Sequence, residues 1–284
     1  MVAKVAVVTG AYGGLGSELC RQIAEKGVKL VLVDRNQQKS EAFAAELNRV
    51  KAGAVLGAYG VDLASPADIQ RLCTQLLASH PRIDFLFNNA GVLTETMQFS
   101  PQGRELHFEV NTLAPLQLID RLRPALKAAG HAMVVSISAG IATGAKSLDW
   151  TTLLQPIKFK KLYGPYVNSK QALNVITAAL APELSGDGIL VRTADPGPNK
   201  TRLTKGKGTP LWMRLFYSVL PAPNKGAQKI FDTGFAAKWG DKSGIFVSGG
   251  KEMTLPPALA SAPFQEDFLR KCRDLVRVPE HPAA

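Results

Sequence analysis

The chain has 284 residues, 46% hydrophobic and 20% charged, an ordinary balance for a soluble globular protein long enough to bury a large α/β core. No apolar run is long enough to cross a bilayer. The basic residues behind the net charge of +11 are spread along the chain without a nucleic-acid-binding signature. Its three cysteines (Cys20, Cys73, Cys272) and four histidines (His80, His107, His131, His281) are scattered and lack metal-ligand spacing. A metal enzyme is therefore not expected, and the thiols read as buried apolar groups.

From Met1 the chain runs directly into KVAVVTG without the pattern of a secretory leader, so a cytoplasmic protein is expected. KVAVVTG (4–10) predicts a buried strand, and GLGSELCRQIAEKG an amphipathic helix stopped at Gly27. KLVLVDR (29–35) predicts a second strand and QKSEAFAAELNRVKAG a second helix. AVLGAYGVDL carries a third strand, and SPADIQRLCTQLLASH begins with a capping Ser and a first-turn Pro. IDFLFNNAG (83–91) predicts a fourth strand, followed by a helical stretch over roughly 104–128. HAMVVSISAG is a fifth strand, YVNSKQALNVITAALAPELSG a helix, ILVRTADPG (189–197) a sixth strand and GIFVSGGK (244–251) a seventh.

This alternation predicts an α/β fold: one doubly wound parallel sheet of about seven strands, helices on both faces, and a single domain over residues 1–284. Two stretches break the rhythm, a long loop over 141–162 and a Pro/Gly-rich segment over 198–230 enclosing LWMRLFYSVL. Both follow strands, at the carboxyl edge where such sheets bind ligands.

TGAYGGLG (9–16) lies between the first strand and the first helix. Gly10, Gly14 and Gly16 permit a tight turn and a close backbone approach to a pyrophosphate at the helix N-terminus. The second strand ends in Asp34, with Arg35 next. An acid here hydrogen-bonds adenosine ribose hydroxyls, whereas an adjacent Arg binds a 2′-phosphate. The acid stands first, which favours NAD; Arg35 keeps NADP open. Asp62, with Leu63 beside it, either meets the adenine ring or serves as a turn acid. In LYGPYVNSKQAL (162–173), Tyr166 and Lys170 are four apart and share one helix face behind Pro165. Spacing alone leaves open whether the tyrosine packs or transfers a proton.

TGxxxGxG at 9–16, NNAG at 88–91, Asn111, a Ser at the end of the fifth strand, YxxxK at 166–170 and PG at 196–197 occur in that order. Together they resemble the short-chain dehydrogenase/reductase superfamily, which has a Rossmann-type fold. The resemblance implies that Tyr166 is the general acid/base, and that Lys170 lowers its pKa and binds the nicotinamide ribose. The phenol, near pKa 10 when unperturbed, is made easier to ionise by a nearby ammonium and by an oxidised nicotinamide. Asn111 would hold a water in the proton relay. Gly10, Tyr12, Gly14, Leu15, Gly16, Asn89, Ala90, Gly91, Pro196 and Gly197 would line the cofactor, with Thr201 on its carboxamide.

There are departures from the family pattern. VVSISAG offers Ser136 and Ser138, and a gapless alignment puts Ala139 in the usual catalytic-serine slot. Ser138, nearer the strand mouth, is expected to orient the substrate carbonyl. Tyr12 replaces a small hydroxyl or amide residue, and Asp195 stands where many relatives have His or Asn.

The long gap between Ser138 and Tyr166, and the segment TPLWMRLFYSVLPAPNKGAQ, resemble the retinol-dehydrogenase and protochlorophyllide-reductase-like branch. In that branch the segment after PG covers the substrate. Leu211, Trp212, Leu215, Phe216 and Val219 fall at helical spacing beside Arg214. That stripe either packs on the sheet, lids a lipophilic substrate or, over 205–220, rests on a membrane surface. Between Pro196 and Phe231 seven basic residues (Lys200, Arg202, Lys205, Lys207, Arg214, Lys225, Lys229) meet no acid, as a solvated face or as a contact for phosphate-bearing groups. The implied activity is NAD(P)-dependent interconversion of an alcohol and a ketone or aldehyde, on a small and lipophilic molecule. A C=C reductase and a non-catalytic dinucleotide-binding regulator are the alternatives; a homodimer is left open.

Overall fold

Parallel strands buried on both faces read as continuous apolar runs, and the central strands of this sheet are such runs. The computed structural model describes residues 3–215 and 217–277. In chain order the elements begin β1 (Val5–Thr9), α1 (Gly14–Glu25), β2 (Lys29–Asp34), α2 (Gln37–Val50), β3 (Val55–Gly60), α3 (Pro66–Ser79) and β4 (Phe85–Asn88). They continue with α4 (Leu106–Phe108), a π turn (Glu109–Leu113), α5 (Ala114–Lys127), β5 (Ala132–Ile137), α6 (Trp150–Leu154), α7 (Pro165–Ser185) and β6 (Ile189–Ala194). Last come α8 (Arg202–Lys205), α9 (Leu211–Leu215), α10 (Pro223–Phe235), β7 (Ile245–Ser248), β8 (Lys251–Met253), α11 (Pro257–Ala260) and α12 (Ala262–Val276).

The strand order is β3-β2-β1-β4-β5-β6-β7-β8. The first seven pair in parallel and β8 returns antiparallel on β7. Alternate residues of each strand feed opposite layers. Ala6, Val8, Leu30, Leu32, Phe85 and Phe87 pack with Leu19, Ile23, Phe43 and Ile230 of α1, α2 and α10. Val7, Val31, Val33 and Leu86 pack with α3, α5, α7 and α12 on the other face. Strand order reverses at β1, between β2 and β4, so the crevice above their carboxyl ends is the ligand-binding point of such a sheet.

Three features add to the expectation. The sheet has eight strands, because Gly249 and Gly250 take φ of 58° and 76° and turn the chain back into β8. The helical stretch expected over roughly 104–128 runs from Leu106 to Lys127, with a π turn inside it that carries Asn111. No element was expected beyond Lys251, yet α12 buries Phe268, Leu269, Cys272 and Val276 against the layer containing α5 and α7. There Arg273 binds Asp120 of α5 at 2.8 Å and Glu183 of α7 at 2.8 Å. The three cysteines are buried free thiols. Among the described residues no helix is long and apolar enough to cross a membrane.

Candidate functional site

The turn after β1 is fixed by close backbone packing. Gly10 adopts φ 66°, and its N–H donates to the Val33 carbonyl at 2.8 Å. A Cβ on Gly16 would lie 2.0 Å from the Gly10 carbonyl oxygen, so only glycine lets α1 start there. From β4, Asn89 Nδ2 donates to the carbonyls of Thr9 (2.9 Å) and Gly10 (3.1 Å), and the Ala90 N–H donates to Thr9 Oγ1 at 3.0 Å. The NNAG run thus braces the glycine turn across the crevice. Side chains of Asn36 and Ser65 cap α2 and α3, whereas Gly13 leaves the first amides of α1 without a side-chain acceptor. Free amides, the positive helix end and a backbone stripped of side chains fit a pyrophosphate.

The next strand, β2, ends in Asp34. Asp34 is only 4% exposed. Its carboxylate accepts from Ser40 Oγ at 2.6 Å and from the Tyr12 N–H at 3.4 Å. Burial raises its pKa, against the lowering by these hydrogen bonds. The carboxylate is therefore turned into the protein, while Arg35 stands exposed at the strand mouth. The Tyr12 ring is half-buried against the layer containing α1. Asp62 is exposed and accepts from the Ala64 N–H at 3.0 Å, the geometry of a turn acid; Leu63 packs on the opposite layer.

Gly164 and Pro165 start α7, which puts Tyr166 in its first turn and Lys170 one turn on. Both are buried. Lys170 Nζ donates to the Ile137 carbonyl at 2.6 Å and lies 5.9 Å from the centre of the Tyr166 ring. A Cβ on Gly91 would be 3.0 Å from Asn111 Oδ1 and 3.5 Å from Lys170 Nζ. The segment after β4, the π turn and the second turn of α7 therefore converge at Gly91. Asn111 exchanges hydrogen bonds with the Val92 backbone (2.9 and 3.1 Å) and reaches Ser169 Oγ at 3.2 Å. Burial pulls Lys170 down to about 7. Burial, and then the Asp195 carboxylate, push Tyr166 above the usual phenol range. Desolvation is the larger of these two causes.

Ser138 follows directly on the last residue of β5. Its hydroxyl is buried and donates to the Lys170 carbonyl at 3.2 Å, and it is Ala139 that packs into the small cluster of Tyr166, Leu162 and Val167. Ser136 accepts from Asn88 Nδ2 at 3.1 Å inside the sheet. Asp195 accepts from the Gly197 N–H and from Ser248 Oγ, at 2.8 and 2.7 Å, and its carboxylate closes over Gly140.

After β6 the chain folds back across the crevice. A Cβ on Gly14 would be 3.5 Å from the Thr201 methyl, so Thr201 stands over the start of α1. Gly208 meets the carbonyls of Leu93 and Thr94. Leu211, Leu215 and Val219 are exposed rather than packed on the sheet; Phe216 and the side chains of Trp212 and Met213 lie outside what the structure describes. Glu105 and His107, for which no role was expected, are both buried, with the His107 ring 6.0 Å from that of Tyr166 and nearly perpendicular. Their only sequence signal is an acid two residues before a histidine.

Comparison with known proteins places this arrangement. A short chain dehydrogenase family profile matches residues 4–151. Dehydrogenase/reductase SDR family member 13 of Bos taurus is 33% identical over 79% of the chain, which spans 60% of that relative's length. Retinol dehydrogenase 11 of Mus musculus is 31% identical, over 79% of this chain and 71% of its own. Among solved structures, L-sorbose reductase of Gluconobacter frateurii, complexed with NADPH and L-sorbose, has a TM-score of 0.67 at 26% identity, over 87% of this chain and 96% of that one.

Proposed function

The chain belongs to the short-chain dehydrogenase family, and on that premise we propose that it is an NAD(P)-dependent oxidoreductase interconverting an alcohol and a ketone or aldehyde. The observation that carries the reading is the buried pair Tyr166 and Lys170 on one face of α7, gathered with Asn111 and Gly91 beside the uncapped glycine turn. A nicotinamide dinucleotide, when bound, supplies or accepts the hydride. The glycine turn at 10–16, Asn89–Gly91, Pro196, Gly197 and Thr201 would hold it.

Tyr166 exchanges the proton with the substrate oxygen. Lys170, fixed by the Ile137 carbonyl, keeps a titrating ammonium next to the phenol. Ser138 acts on Lys170 through its backbone carbonyl, and Asn111 holds the Val92 loop against α7. The inward carboxylate of Asp34 and the exposed Arg35 favour NADP over NAD, the reverse of the preference drawn from residue order. Exposed Leu211, Leu215 and Val219 beside exposed Lys205, Lys207 and Arg214 support a lipophilic substrate covered by residues 198–230, delivered at an anionic membrane surface. One domain carries both functions.

A second reading, dinucleotide binding without turnover, is favoured by Ala139 in place of a hydroxyl facing Tyr166. Incubation with NADPH or NADP and a panel of lipophilic alcohols, ketones and enones separates the readings. Alcohol–carbonyl turnover lost in Tyr166→Phe supports the proposal. Cofactor binding without turnover on any member would sink it.

A further inference from the structure

Resting on that catalytic reading, we propose that Glu105 and His107 are positioning residues for Tyr166, a buried pair that fixes the phenol and registers the covering segment above it. Their side chains are at most 1% exposed, and Glu105 Oε1 lies 2.6 Å from His107 Nδ1. The other carboxylate oxygen accepts the Phe108 N–H at 3.0 Å and so caps the turn that precedes Asn111. On the far side of the imidazole, Nε2 lies 3.0 Å from the Thr94 amide nitrogen. An amide N–H can only donate, so Nε2 is the acceptor and Nδ1 carries the proton given to Glu105. The Thr94 hydroxyl is 3.3 Å from the same nitrogen and donates to the Thr96 carbonyl at 2.7 Å. This tautomer satisfies both the Glu105 carboxylate and the Thr94 amide, while the Thr94 hydroxyl gives its proton to Thr96.

Two consequences follow from what this imidazole touches. Its ring stands at 82° to Tyr166 with centroids 6.0 Å apart, while Phe159 stacks 6.3 Å away. Tyr166 is thus flanked by Lys170 and by an imidazole that is hydrogen-bonded on both sides. Thr94, held by the imidazole, also meets the covering segment: a Cβ on Gly208 would sit 2.6 Å from both the Leu93 and the Thr94 carbonyl oxygens. Glycine alone allows that approach. The same imidazole therefore sets the phenol and the seat of the cover. Burying a carboxylate and an imidazole is costly unless both are fully paired, and misplacing a reacting group by about 1 Å costs on the order of a hundredfold in rate.

The test combines full-length variants with a measurement on the unsubstituted protein. Nitrogen-15 NMR of the imidazoles should give His107, identified by its loss in His107→Phe, as the neutral Nδ1–H tautomer at pH 7; an Nε2–H or doubly protonated ring overturns the proposal without any variant having to fold well. His107→Phe keeps a ring and removes both hydrogen bonds, whereas His107→Gln retains an acceptor for Thr94. The expected result is a kcat about 10- to 100-fold lower in His107→Phe, NADPH affinity within about twofold of the parent, and partial recovery of kcat in His107→Gln. A 13Cζ-tyrosine resonance of Tyr166 that broadens in His107→Phe and sharpens in His107→Gln supports positioning. Unchanged kcat and an unchanged resonance in His107→Phe overturn it. If the parent turns over no substrate, the catalytic reading fails, and the tautomer and the Tyr166 resonance still decide the positioning.

Discussion

Lys170 Nζ gives its hydrogen bond to the carbonyl of Ile137, at 2.6 Å, and so belongs to the end of β5 as much as to α7. Burial holds this amine at about 7, well under its usual 10.5. Between those values the unfolded chain binds the proton and the folded one does not, so stability rises with pH across that window. Below 7 both states are protonated and the penalty of burying the charge is fully present. Thermal melts from pH 7 to 10 should show a midpoint that climbs more steeply in the parent than in Lys170→Met. Parallel slopes in the two would contradict this assignment.

The phenol of Tyr166 is raised by burial and by Asp195. Oxidation of an alcohol needs the phenolate, so kcat/KM in that direction should increase on the alkaline side. Asp195→Asn removes a negative charge that disfavours the phenolate, and the limb should move to lower pH. Tyr166→Phe should lower kcat by a factor on the order of 10² to 10⁴ and leave NADPH affinity nearly intact. A profile that Asp195→Asn does not move would break the link between this carboxylate and the phenol.

The hydroxyl of Ser138 is occupied by the Lys170 carbonyl, and Ala139 is the neighbour of Tyr166. Ser138→Ala should therefore cost about 1 kcal/mol of stability and only a few-fold in turnover. Ala139→Ser adds a donor on the Tyr166 side and should raise kcat. Severe loss in Ser138→Ala, with Ala139→Ser inert, would return the substrate-orienting role to Ser138. Urea melts and initial rates on the same preparations read both quantities.

For the cofactor, Arg35→Ala should weaken NADPH about tenfold and NADH hardly at all, because a 2′-phosphate gains a charge-assisted contact that a ribose hydroxyl does not. Asp34→Ala should instead appear chiefly as lost stability, since the carboxylate is bound to Ser40 and to the Tyr12 amide. Fluorescence titrations of both reduced cofactors check this. Equal losses for NADH and NADPH in Arg35→Ala would remove Arg35 from the 2′-phosphate site.

The central strands β1, β2, β4 and β5 are legible because they are covered on both faces, which writes a nearly uninterrupted apolar run into the sequence. Asp34 shows where such legibility stops. Its place at the end of β2 is plain, but the direction of its carboxylate depends on Ser40, reached only after α2 has begun. The π turn around Asn111 is not legible because one extra residue in a turn leaves the apolar spacing of EVNTLAPL almost unchanged. The strand β8 is three exposed residues with no apolar pattern to read. His107 is illegible for a related reason: the contacts with Thr94 and Tyr166 that give it meaning form only in the fold.

Arg273 ties α12 to Glu183 in the last turn of α7, while Tyr166 occupies the first turn of the same helix. At about 1.5 Å per residue, these 21 residues make a rod roughly 30 Å long. The rod is anchored at its foot by the final helix and carries its reactive group at its tip. Cutting the chain ahead of Ala262, or fusing a bulky partner tightly against Val276, would strip the foot of its anchor, and the damage would surface at the tip, far from the edit.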